Sequence, residues 1–328
     1  MKMLKYSILF QILLGFFLVS SCNEDFQLTE PWKDIPVVYG MLNRFDSAQY
    51  IRLEKAFVSE DLSARELAKY PDSIYYKNAK VTLINKTANK SYQLSKVDMS
   101  QENYTRNEGD FVTSPNYMYK IKTKDMILRA QDNIELQVDR GDGSKLITSN
   151  IQMIKDVRLA EVDTSFRELG FDPNKSSSFY WNAPADVQVF TFKMNIKVEE
   201  LNIGTGKKEI KVISSNLLVN SLETSFSYNG KSFFDAIKSN FTPDNQIKRS
   251  VQFVTLELKA GAKELREFLN IVNANTGITA SQEIPRYTNI SEGFGILTSS
   301  SYWTKNYFVS PNTVILLRTL DETKNLGF

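Results

Sequence analysis

One thiol, Cys22, stands in 328 residues, and there is no histidine. A serine or cysteine nucleophile activated by imidazole is therefore ruled out. So are zinc, haem and most transition-metal sites built from imidazole or thiolate. A single cysteine also precludes a disulfide within the chain. The chemistry left is that of carboxylate pairs, serine–lysine couples and oxygen-ligated metal ions. A glycosidase needs two carboxylates facing one bond, but Glu199 and Glu200 are neighbours on an expected strand and so point to opposite faces. Arg140-Gly141-Asp142 is a cell-adhesion tripeptide, and Asp139, Asp142 and Ser144 supply oxygens. A calcium loop fails there, because Gly141 stands where a third-position oxygen ligand belongs, and a glycine hairpin turn accounts for the run. The expectation is a chain with no catalytic residue, no metal and no cofactor.

Cys22 is more informative by position than by reactivity. Lys2 and Lys5 precede an apolar run from Ile8 to Val19, broken only by Gln11 and Gly15, and small Ser20 and Ser21 then lead to the cysteine. These are the three parts of a secretory signal. A run of 12 residues is too short for the ~20 that a membrane-spanning helix needs. Val19-Ser20-Ser21-Cys22 resembles the lipobox of bacterial lipoproteins, with Val19 where leucine is commonest. The resemblance implies cleavage after residue 21 and acylation of the Cys22 sulfur, and more than one acyl chain suffices for stable anchoring. Asn23, Glu24 and Asp25, acidic through the last two, resemble the surface-export signal of Bacteroidota lipoproteins, which implies an outer-membrane, cell-surface location.

Beyond the signal peptide, residues 22–328 form a 307-residue chain, long enough for two domains with their own cores. Without Lys2 and Lys5, 38 basic residues face 38 acidic ones. A nucleic-acid binder would carry a basic excess, so no nucleic-acid partner is expected. Stability must come from burial, for which 21 Phe, 15 Tyr and 3 Trp provide the material.

The polar segment 22–34 reads as a tether. Strand-like runs follow at 36–43 and 48–58; in the second, Tyr50, Arg52 and Glu54 alternate with Ile51 and Leu53. A helical insert is expected at 62–69, then strands at 79–85, 91–97, 117–123, 134–139 and 145–151. Short strands with turn signals over residues 35–154 predict an immunoglobulin-like β-sandwich. Residues 155–328 predict a larger, sandwich-like β-rich domain, with strands at 179–181, 187–198, 209–213, 216–222, 251–258, 302–309 and 313–320. Helices are expected at 233–238 and 262–273, the second because Leu265, Phe268, Leu269 and Val272 share one face.

Three stretches resemble an uncharacterised, domain-of-unknown-function family of Bacteroidota outer-membrane lipoproteins: 134–151, the Trp181-Asn182-Ala183-Pro184 segment with Phe190-Thr191-Phe192, and 287–297. The resemblance implies a two-domain lipoprotein beside a TonB-dependent receptor or other outer-membrane barrel, and no catalytic residues. Within the last stretch Tyr287, Asn289, Phe294 and nearby Trp303 are the candidate ligand-binding residues. Rings stack on apolar C–H surface while an amide fixes hydroxyls, which suits a glycan or peptide; Gly293 and Gly295 suggest a flexible loop. Asp46-Ser47-Ala48 and Asp72-Ser73-Ile74 resemble the Bacteroidota O-glycosylation sequon, making Ser47 and Ser73 candidate modification sites in expected loops. The favoured role is a non-catalytic accessory or binding subunit. A stand-alone glycan- or peptide-capturing lipoprotein comes second, and an enzyme of carboxylate or serine–lysine type a distant third.

Overall fold

The structure, a computed structural model, describes residues 35–56, 63–160, 168–274 and 287–328. The signal peptide, Cys22, Asn23, Glu24 and Asp25 lie outside them. Among the described residues no helix is long and apolar enough to cross a membrane.

The chain is mainly β, with a few short helices. In its first part β1 (Ile35–Leu42), β2 (Ala48–Ala56), β6 (Tyr117–Lys122) and β5 (Ser95–Asp98) lie side by side in that order. Facing them, β4 (Lys90–Gln93), β3 (Lys80–Asn85), β7 (Asn133–Asp139) and β8 (Ile147–Gln152) make a second sheet. This is the immunoglobulin strand order, an ABED sheet against a CFG sheet with one added edge strand. Val38, Ile51, Leu53, Leu83, Leu136 and Ile147 fill the space between the sheets. The expected strand 91–97 is instead two strands in opposite sheets. Leu94 is buried at the corner between β4 and β5, and its N–H donates to the Val81 carbonyl, so the chain changes sheet there. The 140–144 turn is as expected: Gly141 has φ +77°, and Asp139 and Asp142 accept from the backbone N–H groups of Gly141 and Ser144.

The second part has longer strands. β12 (Lys208–Ser221), β11 (Val189–Asn202), β14 (Ile247–Gly261) and β15 (Phe294–Val309) form an antiparallel array, with β9 (Glu168–Leu169) at the end of β15. One face carries Phe190, Phe192, Met194, Leu256 and Leu258. It is covered by the antiparallel pair of β10 (Ser176–Tyr180) and β13 (Ser225–Asn229), the helix Gly230–Asn240 and the helix Pro311–Thr319. Phe171 stacks on Phe233 at 4.2 Å in this layer. Each such aromatic side chain stabilises the fold by about 1.5–3 kcal/mol on burial. The runs 209–213 and 216–222 are one continuous strand, β12, whose pairing to β11 is interrupted by register shifts near Phe192.

Two expectations near the C-terminal end are corrected. Residues 313–320 are not a strand but most of the helix Pro311–Thr319 with its C-cap: Ser310 accepts from the Thr313 N–H at the N-cap and Pro311 occupies the first turn. Gly293 does lie in a turn, just before β15, but Gly295 belongs to β15 itself, a strand of 16 residues. Its first six residues run parallel to β1, Val37 opposite Phe294 through Leu42 opposite Ser299. From Ser300 onward it pairs with β14. Gly295, at φ +112°, lies against Val38 so closely that a Cβ would meet the Val38 carbonyl oxygen. The glycine therefore serves close backbone approach rather than flexibility. A division at 154/155 accordingly omits part of the first sandwich, because Ile290 and Leu297 belong to its core. Serines stitch the connection: Ser299 Oγ donates to the Gln152 carbonyl and accepts from the Ile154 N–H, and Ser301 Oγ accepts from the Val157 N–H.

Candidate functional site

Where β15 passes from one sandwich to the other, a cleft of about 590 Å³ opens between the β1–β2 turn and the outer face of the long-stranded sheet. Its floor is set by register. Val189, Gly261 and Ser300 form one cross-strand row, and Thr191, Lys259 and Tyr302 the next. Alternation fixes which residues reach it: Phe190, Phe192 and Leu258 are buried on the other face. The sequence pattern Phe190-Thr191-Phe192 thus separates core from cleft residue by residue.

The wall opposite is the turn after β1, which Asn43 organises. The Asn43 side chain accepts from the Phe45 N–H and donates to Ser300 Oγ at 3.2 Å. Its backbone N–H donates to Gln49 Oε1, and the Gln49 amide returns a bond to the Asn43 carbonyl and another to Thr123 Oγ1. The Tyr302 hydroxyl donates to the Phe45 carbonyl at 3.4 Å, with the two rings edge to face at 5.8 Å. Arg44 lies over the Phe45 ring and pairs with Asp156. The wall is therefore fixed before any ligand arrives.

Three charged groups line the cleft: Asp46, Glu257 and Lys259. Burial raises the Asp46 carboxyl from its ordinary value, and the Lys259 charge works the other way. Glu257 accepts from Asn195 Nδ2 at 2.6 Å, and Thr191 and Asn220 are joined by hydrogen bonds on the remaining side. Two acceptors, one cationic donor and an aromatic wall suit a polar ligand with hydroxyl or amide groups.

The sequence-derived candidates fare unevenly. Asn289 clamps the backbone of Leu297, donating to its carbonyl at 2.7 Å and accepting from its N–H at 2.9 Å. Both ends of that amide are engaged in holding 289–297 together, so Asn289 does not reach the cleft. Burial raises the Tyr287 hydroxyl pKa, as does its hydrogen bond to Glu267 on the helix Lys263–Ala274. Half-buried Phe294 opens β15 beside β1. Trp303 alone of the four lies at the cleft, but it stands opposite Leu258 in the register, so its ring is on the core face and packs against the second core. Lys259, Thr191, Asn220 and Glu257 come from three strands, and alternation along β11 and β14 marked Thr191, Glu257 and Lys259 but nothing along β12 marked Asn220. Ser47 is exposed in the β1–β2 turn, next to Asp46. Ser73 lies not in a loop but in the helical turn Pro71–Ile74, half-buried, because Pro71 starts a turn there. Glu199 and Glu200 do face opposite ways: Glu199 pairs with Lys208, and Glu200 is buried against Arg249 and Lys211. Among the described residues no group of three or more acidic, histidine or cysteine side chains is placed to hold a metal.

Neither a scan of protein-family models nor a search of curated proteins finds a match to this chain. Among solved structures, a similar one is the crystal structure of chicken CNTN1 FN1-FN3 domains, at 12% identity and a TM-score of 0.19. The match covers 81% of this chain and 64% of that one, less than two-thirds of its length. At that TM-score the fold assignment rests on the strand order alone.

Proposed function

We propose that this chain is a non-catalytic outer-membrane lipoprotein, surface-exposed and held by acyl chains on Cys22, that serves as an accessory or binding subunit beside a TonB-dependent receptor or other outer-membrane barrel. One observation carries the reading: the only thiol closes an apolar run too short to span a bilayer, behind two small residues. The Asn23-Glu24-Asp25 stretch, with its two carboxylates, and the resemblance to Bacteroidota lipoproteins of unknown function support the surface location and the barrel partner. The test is fractionation of cells expressing the parent chain and Cys22→Ala. The parent should follow the membranes and the variant should be soluble; a variant that still follows the membranes would defeat the lipoprotein reading. Detergent extracts of the parent should also carry a co-purifying barrel.

The cleft favours a second reading, a stand-alone lipoprotein that captures a glycan or peptide. A largely apolar lining with a few polar groups beside Tyr302 has the make-up of a small-ligand site. Lys259→Ala should then abolish binding on a glycan or peptide array while thermal unfolding stays unchanged.

A further inference from the structure

β12 ends the nine-stranded sheet. One side of it pairs with β11, and among the described residues no strand pairs with the other. A free edge leaves a row of backbone donors and acceptors that proteins normally guard with shortness, charge or a covering element. Those guards are weak here. The strand is 14 residues long. Three lysines stand on it or just before it, and each is neutralised within its own chain: Lys207 by Glu209 at 2.6 Å, Lys208 by Glu199 at 3.1 Å and Lys211 by Glu200 at 2.7 Å. Between the charges Ile210 is 49% exposed and Val212 56%, both on the face opposite the buried Ile213.

The order of charges selects the occupant. In Lys208-Glu209-Ile210-Lys211-Val212, a two-fold axis through Ile210 sets Glu209 opposite the partner's Lys211, and the reverse, in an antiparallel pair. Ile210 then meets the partner's Ile210, and Val212 lies on the aliphatic stem of the partner's Lys208. Moving the axis one residue either way places Glu209 against Glu209 or Lys211 against Lys211, which cross-strand pairing disfavours. We propose that the chain forms a two-fold homodimer through the β12 edge, centred on Ile210, so that two nine-stranded sheets join into one. Such an interface is isologous, as most dimer interfaces are.

The test uses the full chain carrying Cys22→Ala, so that any introduced cysteine is the only thiol. Light scattering from about 1 to 100 µM, a range that brackets modest self-association, should show dimer. Ile210→Lys, at an exposed position, should shift it to monomer with an unchanged circular dichroism spectrum. Mild oxidation of Ile210→Cys should give a disulfide-linked dimer, since directly opposed strand residues fall within disulfide reach, whereas Val219→Cys should not. Monomer throughout the range would overturn the proposal. So would a dimer indifferent to Ile210→Lys, or equal cross-linking at Val219→Cys.

Discussion

Each sandwich buries one carboxylate between two cations, and the two clusters do different work. Glu54 is 8% exposed on the outer face of β2 and receives Arg52 from its own strand. Its second cation, Arg106, comes from the segment between β5 and β6, grips both carboxylate oxygens at 3.0 and 3.3 Å and lies over the Phe111 ring. Glu200, 7% exposed, receives Lys211 and Arg249, both at 2.7 Å. Arg249 also donates to the Leu326 carbonyl, and its backbone N–H bonds to the Gly327 carbonyl. One cluster fastens a surface loop, whereas the other fastens the last residues to the second core, where Phe328 meets Phe241 at 5.9 Å. A buried ion pair adds little net stability over an apolar substitute, but losing one partner leaves the other's charge stranded. The difference between the clusters should therefore appear when each is severed.

The largest effect tests whether the two regions are separate at all. A fragment of residues 35–154 keeps the eight strands of the immunoglobulin order but loses Ile290, Leu297 and the six residues of β15 that pair with β1. It should fail to unfold cooperatively in denaturant and should bind hydrophobic dye. A sharp, two-state transition from that fragment would restore the simple two-domain division.

Next in size is Arg249→Ala, which leaves Glu200 buried with Lys211 alone and frees the Leu326 carbonyl. A loss of roughly 3–5 kcal/mol is expected for breaking a buried pair, read as a lower urea midpoint. The deficit should depend on pH. Burial pushes the Glu200 carboxyl up, but hydrogen bonds from Lys211 and Arg249 outweigh it, so the carboxyl sits below its ordinary 4.5. With the folded value depressed, the stabilisation is present above pH 4.5 and is lost as pH falls through the folded value. The gap between parent and variant should accordingly narrow in acid. A gap equal at neutral and acidic pH would assign the loss to packing instead.

How much of this was written locally differs between the same two regions. The alternation of Ile51 and Leu53 with Arg52 and Glu54 announced both β2 and the face on which the first cluster sits. Leu265, Phe268, Leu269 and Val272 likewise announced the helix Lys263–Ala274. Missed features depend on contacts distant in sequence or on signals that compete. β-branched and apolar residues at 313–317 suggest a strand, but Ser310-Pro311 is a helix start that outweighs them. Nothing near Gly293 or Gly295 indicates that β1, more than 250 residues earlier, will lie alongside. The cleft was illegible for the same reason, since its lining converges from the β1–β2 turn and the long strands only after β15 has crossed between the sandwiches.

The smallest expected effect sharpens the comparison most. Arg106→Ala removes the grip on Glu54 and leaves Arg52 at 2.9 Å, as Arg249→Ala leaves Lys211 on Glu200. But Arg106 is 20% exposed where Arg249 is 4%, so water reaches the place it vacates. The global cost should be about 1.5–3 kcal/mol, that of a hydrogen bond to a charged group. The segment loses its tie to β2 and the stacking on Phe111, keeping the Arg65–Asp110 pair and backbone bonds of Val112 and Tyr104 to other parts of the chain. Limited proteolysis and hydrogen exchange should therefore rise within residues 103–114 while β2 and β6 stay protected, because a loop opens independently of the core beneath it. Should exchange rise equally in β2, Glu54 would be a keystone of the first sandwich as Glu200 is of the second, and the contrast between the two clusters would collapse.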